Sequence, residues 1–493
     1  MKKKKTNPYM YKGDTLSACP VCKKVIQARV IEKQNKLYFE KFCSEHGKSS
    51  ALISSDADWS RWSEGYNKPG EVPLKIGKKT EKSCPNDCGL CESHEQHSCF
   101  VQIEITDKCD LKCPNCYMGP ENSWFLPKER AAQMFDRIVE MEGSPEVITL
   151  TGGEPTLHPD LFEIAEMAIA RNIKYVLINT NGNKIAREPD FAKKLADAGL
   201  HVYLQFDGFK KENYLKIRGK DLLESKLRAL ENLEKANCPT VLSPVIEKYV
   251  NDDQVGEIIK LAVSKKFIKG VNFLPITYLH NLSVESGKWE SSADACPDPM
   301  DRMTHADMVN AIEKYSDGLL VKSDFIPIPC HMPSCGSVTY LINNEDGAVP
   351  ISKIINVDIF LDYVKNKPRV DMDDLFQVSR MELEKIWSMS AVGGTDKVMD
   401  SLRNLLTNCC AADPGIAEVF EDNVTQVSIH AFMDAHNWDI ERARKCCIHF
   451  MLPNGDLMPF CQYNIFHRDK YRAIGKDKDI NETELFVPEI YKD

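Results

Sequence analysis

Nowhere in this chain do eighteen or so apolar residues run together, so no helix in it is expected to span a bilayer. The stretch from Met1 to Leu16 has no apolar core segment of the kind a secretory signal needs. Positive charge is in deficit: 63 Lys and Arg stand against 73 Asp and Glu, for a net charge of -10. Nucleic acid is therefore not an expected partner, because phosphate backbones recruit basic surfaces. The one basic run, Lys2 to Lys5, reads as a solvated terminus with at most a weak contact to an anionic membrane surface. The expected location is cytoplasmic, with a peripheral position at the membrane as the alternative.

Cysteine is not scarce. There are 19 in 493 residues, clustered at two- and three-residue spacings. At this length such spacings point to metal ligation rather than to a disulfide scaffold. The length suggests about three domains. A 43% hydrophobic content is enough to bury several cores.

The organising stretch is Cys109-Asp110-Leu111-Lys112-Cys113-Pro114-Asn115-Cys116-Tyr117. It follows an alternating strand, Val101 to Thr106, and so sits in a loop at that strand's C-terminal end. Three thiolates can hold a four-iron (4Fe-4S) cluster by three of its irons and leave the fourth open. A zinc site is the alternative use of the same thiols. Thr151-Gly152-Gly153-Glu154-Pro155 then closes a second apolar strand, Val147 to Leu150.

These two motifs resemble the radical S-adenosylmethionine (SAM) superfamily. The resemblance implies that Cys109, Cys113 and Cys116 carry the catalytic cluster and that SAM binds its open iron. It implies that Gly152, Gly153, Glu154 and Pro155 meet the methionine amino group, and that SAM is cleaved to a 5′-deoxyadenosyl radical. The position before the third cysteine, usually aromatic in the family, is Asn115; Tyr117 stands just after it and is the expected aromatic neighbour of SAM.

From 101 to 320 the pattern is strand, loop, helix, repeated. Helices are expected over Lys128 to Glu142, Leu161 to Arg171, Phe191 to Ala198, Lys220 to Lys235 and Asp253 to Lys265. Strands are expected at Ile173 to Thr180, Val202 to Phe206, Thr240 to Ile246 and Val271 to Pro275. The predicted fold class is α/β: a partial (β/α)6 TIM-like barrel, with active groups at the strands' C-terminal ends. Asn181, Gln205, Asp207 and Ser243 fall there and are candidate SAM contacts. Asn181-Gly182 also reads as an ordinary turn. Arg218 is a weaker candidate for the SAM carboxylate and reads more readily as a surface arginine; 280 to 330 read as irregular, a candidate lid or substrate entrance.

Flanking segments carry further metal signals. Residues 1 to 75 hold Cys19, Cys22, Cys43 and His46, a knuckle suited to one zinc or iron ion. Residues 56 to 83 read as a polar linker. Residues 76 to 100 hold Cys84, Cys88, Cys91 and Cys99, a closed set for an auxiliary 4Fe-4S cluster, with a zinc ribbon as the alternative. From 321 to 493, Cys330 and Cys335 are expected to join Cys461 and one of Cys446 and Cys447. The hairpin about Asn454-Gly455, read as a two-residue type I′ turn, brings residue 448 opposite residue 461. Cys238, Cys296, Cys409 and Cys410 read as structural.

The whole arrangement resembles the archaeal tetraether lipid synthases within that superfamily. The resemblance favours Cys446 over Cys447 as ligand. It implies three 4Fe-4S clusters, SAM and one mononuclear iron or zinc. It also implies an isoprenoid diether lipid as substrate, coupled through C–C bonds between tails, and a reductant such as ferredoxin or flavodoxin. Two other readings stand beside it: a radical SAM methyltransferase acting on a pterin-type cofactor, and a non-catalytic electron-transfer protein.

Overall fold

The computed structural model describes residues 8–119, 124–279, 281–282, 289–290, 296–328, 330–344, 347–353 and 423–469. The lysine run near the N-terminus and the Cys409–Cys410 pair lie outside these residues.

The first layer is an antiparallel sheet in the order β1 (Met10–Ala18), β2 (Val25–Lys33), β3 (Lys36–Cys43), β4 (Gly47–Ser54). Leu37, Phe39 and Cys43 alternate inward along β3 while Lys36 and Phe42 face out, the period-two pattern of a half-covered strand. The expected linker begins with a helix instead, α1 (Ala57–Glu64). Asp56 caps it by accepting from the Trp59 N–H, and Trp59 is buried.

The second layer is one large sheet. Six strands run parallel in the spatial order β5 (Phe100–Thr106), β6 (Val147–Gly152), β7 (Tyr175–Thr180), β8 (His201–Leu204), β9 (Thr240–Leu242) and β11 (Ile268–Pro275). A short β10 (Val245–Ile246) pairs with β11. The crossovers contain α2 (Lys128–Glu142), α3 (Leu161–Ile169), α4 (Asn183–Arg187), α5 (Pro189–Asp197), α6 (Lys211–Arg218), α7 (Leu223–Lys235) and α8 (Val255–Ser264). Ile103, Ile148, Ile178, Val202, Leu242 and Phe273 are fully buried and join one core with Phe135, Ile138, Ile164, Leu195, Leu233 and Ile258 from the helices. The partial barrel expected from the sequence is therefore present as an α/β unit.

Several boundaries differ. The strand expected over Thr240 to Ile246 breaks at Ser243-Pro244, since proline has no N–H for a sheet ladder. Lys220 to Lys235 begins only at Leu223, and α6 precedes it as a separate helix ended by Gly219 in the left-handed region. The irregular reading of 280 to 330 is corrected in part. A small ribbon of β12 (Asn281–Leu282) and β13 (Trp289–Glu290) is followed by α9 (His305–Tyr315), started by a full capping box between Thr304 and Asp307.

The segment after 320 adds to the same sheet. Beyond β11 come β17 (Val424–His430), parallel to it, then β15 (Gly336–Asn344), with β14 (Ile326–Pro327) and β16 (Gly347–Pro350) pairing with β15. Beyond β5 come β18 (Ile448–Met451), parallel to it, and β19 (Leu457–Pro459). The β18–β19 hairpin pairs His449 with Pro459, one step from the expected register. Only Gly455 in its loop has a positive φ, 85°, and Leu452 accepts from the Gly455 N–H. The turn is therefore a three-residue loop, Pro453-Asn454-Gly455, in which the fixed negative φ of Pro453 suits the first central position of a type I turn and Gly455 supplies the left-handed residue that closes it. α10 (Ile440–Arg444) packs just before this hairpin.

Buried ionic contacts lock the layers together. Lys41 of β3 donates to the carbonyls of Ala18, Ala435 and His436 at 2.7, 3.1 and 2.8 Å. Arg302 grips Asp434 through two bonds of 3.0 and 2.6 Å, both side chains being buried. Burial opposes the Asp434 charge, but Arg302 outweighs it and holds the carboxyl below its ordinary range. Asp434→Ala is expected to cost about 3–5 kcal/mol, because it strands a buried guanidinium. Anaerobic denaturant unfolding checks this. Asp434's own contribution is complete at neutral pH and is lost as pH falls through its lowered pKa.

Candidate active site and cysteine groups

A cavity of about 340 Å³ runs along the concave face of the sheet. Its upper mouth, at the strands' C-terminal ends, is lined by Cys109, Cys113, Cys116, Tyr117, Gly152, Gly153, Asn181, Gln205, Arg218 and Ser243. The lower mouth, where strands begin, is lined by Cys99, Val147, Tyr175, His201, Lys269, Cys330 and Cys447.

The glycine pair fixes the upper mouth. Gly152 has φ +127°, and a Cβ there would stand 2.1 Å from the Thr106 carbonyl oxygen. A Cβ on Gly153 would stand 2.4 Å from that of Lys108. This close approach carries two main-chain bonds: Gly153 N–H to Thr106 O at 2.8 Å, and Glu154 N–H to Lys108 O at 2.7 Å. The turn is thus stitched to the segment that enters the cysteine loop.

Gly152 and Gly153 line the cavity, while Glu154 and Pro155 stand behind them. Both are buried, and Pro155 opens a single 3-10 turn. The Glu154 carboxylate accepts from the Thr156 N–H and hydroxyl, the Thr180 hydroxyl and the Asn181 N–H at 2.6–3.1 Å. Burial raises its pKa against these bonds. It is a positioning residue that joins the ends of β6 and β7. Asn181 reaches across to Asp110 at 2.7 Å and Asn183 holds the other Asp110 oxygen at 3.0 Å, so the cysteine loop is tied on this side too.

Asp207 is likewise withdrawn from the cavity. It is fully buried and binds Arg218 through two bonds of 2.7 and 2.8 Å. Arg218 is not on the surface: it is buried, lines the cavity and faces Cys113. A fully buried lysine, Lys226, donates to Gln205 Oε1 at 3.2 Å and to the Asn181 carbonyl. Burial brings its pKa down to about 8. The sequence offered no signal for Lys226, which reads as one more helix lysine. Tyr117 packs edge-on to Phe460 at 5.5 Å and lies under the Arg468 guanidinium, and burial lifts its hydroxyl to about 12.

The donor set at this mouth fits a cluster. Its three thiols are free of disulfides and converge on one cavity. Backbone N–H groups of Leu111 and Gly119 point at Cys109 and Cys116 sulfur, each at 3.4 Å, which favours thiolates.

The other cysteines regroup relative to expectation. Cys19, Cys22, Cys43 and His46 come together as expected, with His46 Nδ1 3.7 Å from Cys19 Sγ and 3.6 Å from Cys43 Sγ. Cys84, Cys88 and Cys91 surround a small cavity, but Cys99 is not with them. Cys99 meets Cys330 and Cys447, the three sulfurs lying within 4.8 Å of one another. Cys335, Cys446 and Cys461 surround a second small cavity, which Cys447 also borders. The expected sets of four therefore regroup, with Cys330 standing against Cys447 and Cys99 rather than with Cys335. Successive residues of an extended chain point to opposite sides, so Cys446 and Cys447 serve different groups. Cys238 and Cys296 are buried apart from these groups.

Gly153→Ala is expected to displace the cysteine loop and remove most of the iron and sulfide of this cluster, checked by chemical analysis of reconstituted protein. Asn181→Ala, which unties Asp110, is expected to weaken SAM binding about tenfold, equivalent to ~1.4 kcal/mol, in a direct binding titration.

A family model described as the radical SAM superfamily matches residues 103–262. One described as the HMPTM N-terminal zinc ribbon domain matches residues 11–55. A 7,8-dihydro-6-hydroxymethylpterin dimethyltransferase of Methanocaldococcus jannaschii is 31% identical over 489 residues, covering 92% of this chain and 94% of that protein. A GTP 3′,8-cyclase of Helicobacter pylori is 30% identical over 201 residues, 39% of this chain and 61% of the cyclase. The structure of Streptococcus suis SuiB bound to S-adenosylmethionine aligns over 45% of this chain and 47% of that one, at 16% identity and a TM-score of 0.35. With the cysteine loop and the glycine turn joined at the barrel's upper mouth, and a likeness that runs nearly end to end with a curated relative, this chain belongs to the radical SAM superfamily.

Proposed function

We propose that this enzyme methylates a reduced pterin of the 7,8-dihydro-6-hydroxymethylpterin class by radical SAM chemistry. The full-length likeness to the Methanocaldococcus jannaschii dimethyltransferase supports this substrate class. The geometric observation that carries it is on the cavity wall. Gln102 Oε1, Thr149 Oγ1 and His331 Nε2 are buried there without a hydrogen-bond partner. Leaving such atoms unmet costs about 1–3 kcal/mol each. A heteroaromatic ring with amide and amine edges can meet them, whereas a hydrocarbon tail cannot. Phe432 and Phe460, stacked 4.0 Å apart beside the same cavity, offer a ring a flat apolar neighbour.

When bound, the cluster supplies an electron and SAM supplies a radical able to take hydrogen from a C–H bond. The chain's own part is positional. Cys109, Cys113 and Cys116 would hold the cluster, and Arg218, kept charged against its burial by Asp207, presents a cation to the carboxylate end of SAM. Lys226 fixes Gln205 and the Asn181 carbonyl, so that the polar rim keeps its shape when SAM is absent. A low-potential reductant such as ferredoxin or flavodoxin would serve the clusters.

A second reading, the coupling of isoprenoid tails, is favoured by one feature: Leu274, Ile276, Leu279 and Ile328 form an apolar stretch of the cavity wall. One assay separates the two. Protein reduced anaerobically with SAM is expected to release 5′-deoxyadenosine, and Cys113→Ala to release none. The SAM cleaved to 5′-deoxyadenosine keeps its methyl on methionine, so the methyl comes from a second molecule of SAM or another one-carbon donor supplied in the assay. A methyl mass gain is expected in an added 7,8-dihydropterin, and labelling each donor in turn identifies its source. Deuterium passing from a labelled diether lipid into 5′-deoxyadenosine, with no methylated pterin, overturns the pterin assignment.

A further inference from the structure

We propose that Cys99, Cys330 and Cys447 hold a single soft metal ion at the lower mouth of the barrel, with His97 beside them. This site is separate from the N-terminal knuckle and from the catalytic cysteine loop. β5 separates Cys99 from that loop, a run of about 20 Å at the usual strand rise.

Spacing carries the argument. Sulfurs bound to one tetrahedral ion at ~2.3 Å lie ~3.8 Å from one another. Thiolates of a four-iron cluster bind separate irons and spread wider. Cys330 Sγ and Cys447 Sγ are 3.7 Å apart, and Cys99 Sγ completes a triangle within 4.8 Å. The chain holds a standard for each case. In the segment matched by the zinc-ribbon model, Cys22 Sγ and Cys43 Sγ are 3.9 Å apart. Cys109, Cys113 and Cys116 do not draw together within 4.8 Å, nor do Cys335, Cys446 and Cys461.

His97 braces the triangle from outside it. Its Nε2 is 3.6 Å from Cys99 Sγ, but its nitrogens do not lie within 4.8 Å of all three sulfurs, as His46 does in the N-terminal knuckle. Its Nδ1 is 3.1 Å from Glu142 Oε2, and the other Glu142 oxygen accepts from the Ser98 N–H at 3.1 Å. The carboxylate on the far nitrogen fixes the direction of the imidazole, and with it the place of Cys99. The three chain segments are also tied by bonds that need no ion. Cys99 and Phe100 N–H donate to the Cys447 carbonyl at 3.0 and 3.1 Å, and Gln96 donates to the Cys330 carbonyl. All three thiols are buried.

The test is a metal count on the full chain purified without oxygen, with sulfide measured on the same sample. It does not depend on the substrate reading. Wild-type protein is expected to carry two ions, zinc or iron, not matched by sulfide, one for each of the two close-spaced groups. Cys43→Ser is expected to leave one. X-ray absorption on that variant should show three sulfurs around the remaining ion. Cys447→Ser should lose the lower-mouth ion while cluster iron and sulfide stay at the wild-type level. A single unmatched ion in the wild type, fewer than three sulfurs around the ion of the Cys43 variant, or loss of a whole cluster's iron and sulfide on Cys447→Ser overturns the proposal. The wild-type count and the Cys43 shell stand even if the Cys447 variant fails to fold.

Discussion

The contact on which the upper mouth depends is the approach of two glycines to a neighbouring main chain. Gly152 and Gly153 come so near Thr106 and Lys108 that no side chain fits between them, and the gap is closed by two peptide hydrogen bonds. Those bonds couple the end of β6 to the start of the cysteine loop. Glu154 then ties the same turn to β7, and Asn181 returns from β7 to Asp110 in the loop. The result is a closed circuit of short bonds around three thiols. Each bond is modest alone, but the circuit removes freedom from a loop that would otherwise have to be ordered by its cofactor.

The second constraint is electrostatic. Arg218 stands at the cavity wall, with Asp207, Lys226 and Glu154 buried behind it. Charges so placed are stable only when paired, and here Asp207 pairs Arg218 while backbone and amide oxygens receive Lys226. A site that must accept an ionic ligand beside thiolates thus has its counter-charges already in position and already shielded from water.

Much of this was legible in the sequence. The apolar runs Val147 to Leu150 and Tyr175 to Ile178 mark strands covered on both faces, and they announced a parallel sheet. The CxxxCxxC and GGEP motifs sit where their strands end, so their meeting at one mouth followed from the (β/α) rule. The roles of Glu154, Asp207 and Arg218 did not follow, because a motif says which residue stands at a strand end and not which way its side chain turns. The grouping of Cys99 with Cys330 and Cys447 joins segments more than a hundred residues apart, and spacing along the chain carries no signal for that. The helix at His305 was legible in Thr304 and Asp307, but its surroundings of Pro, Ser and Gly hid it. The hairpin register was missed by one step because Pro453 turned an apparent two-residue turn into a three-residue loop.

The strands that border the six central ones come from late in the chain: β17 lies against β11, and β18 against β5. During synthesis the six-stranded barrel therefore emerges with both flanks open until β17, β18 and β19 follow it. Cys335, Cys446, Cys447 and Cys461 complete their groups only then. Cofactor loading at those groups must follow synthesis of Cys461, and a product cut short before it would present sticky sheet margins together with half-built sulfur nests.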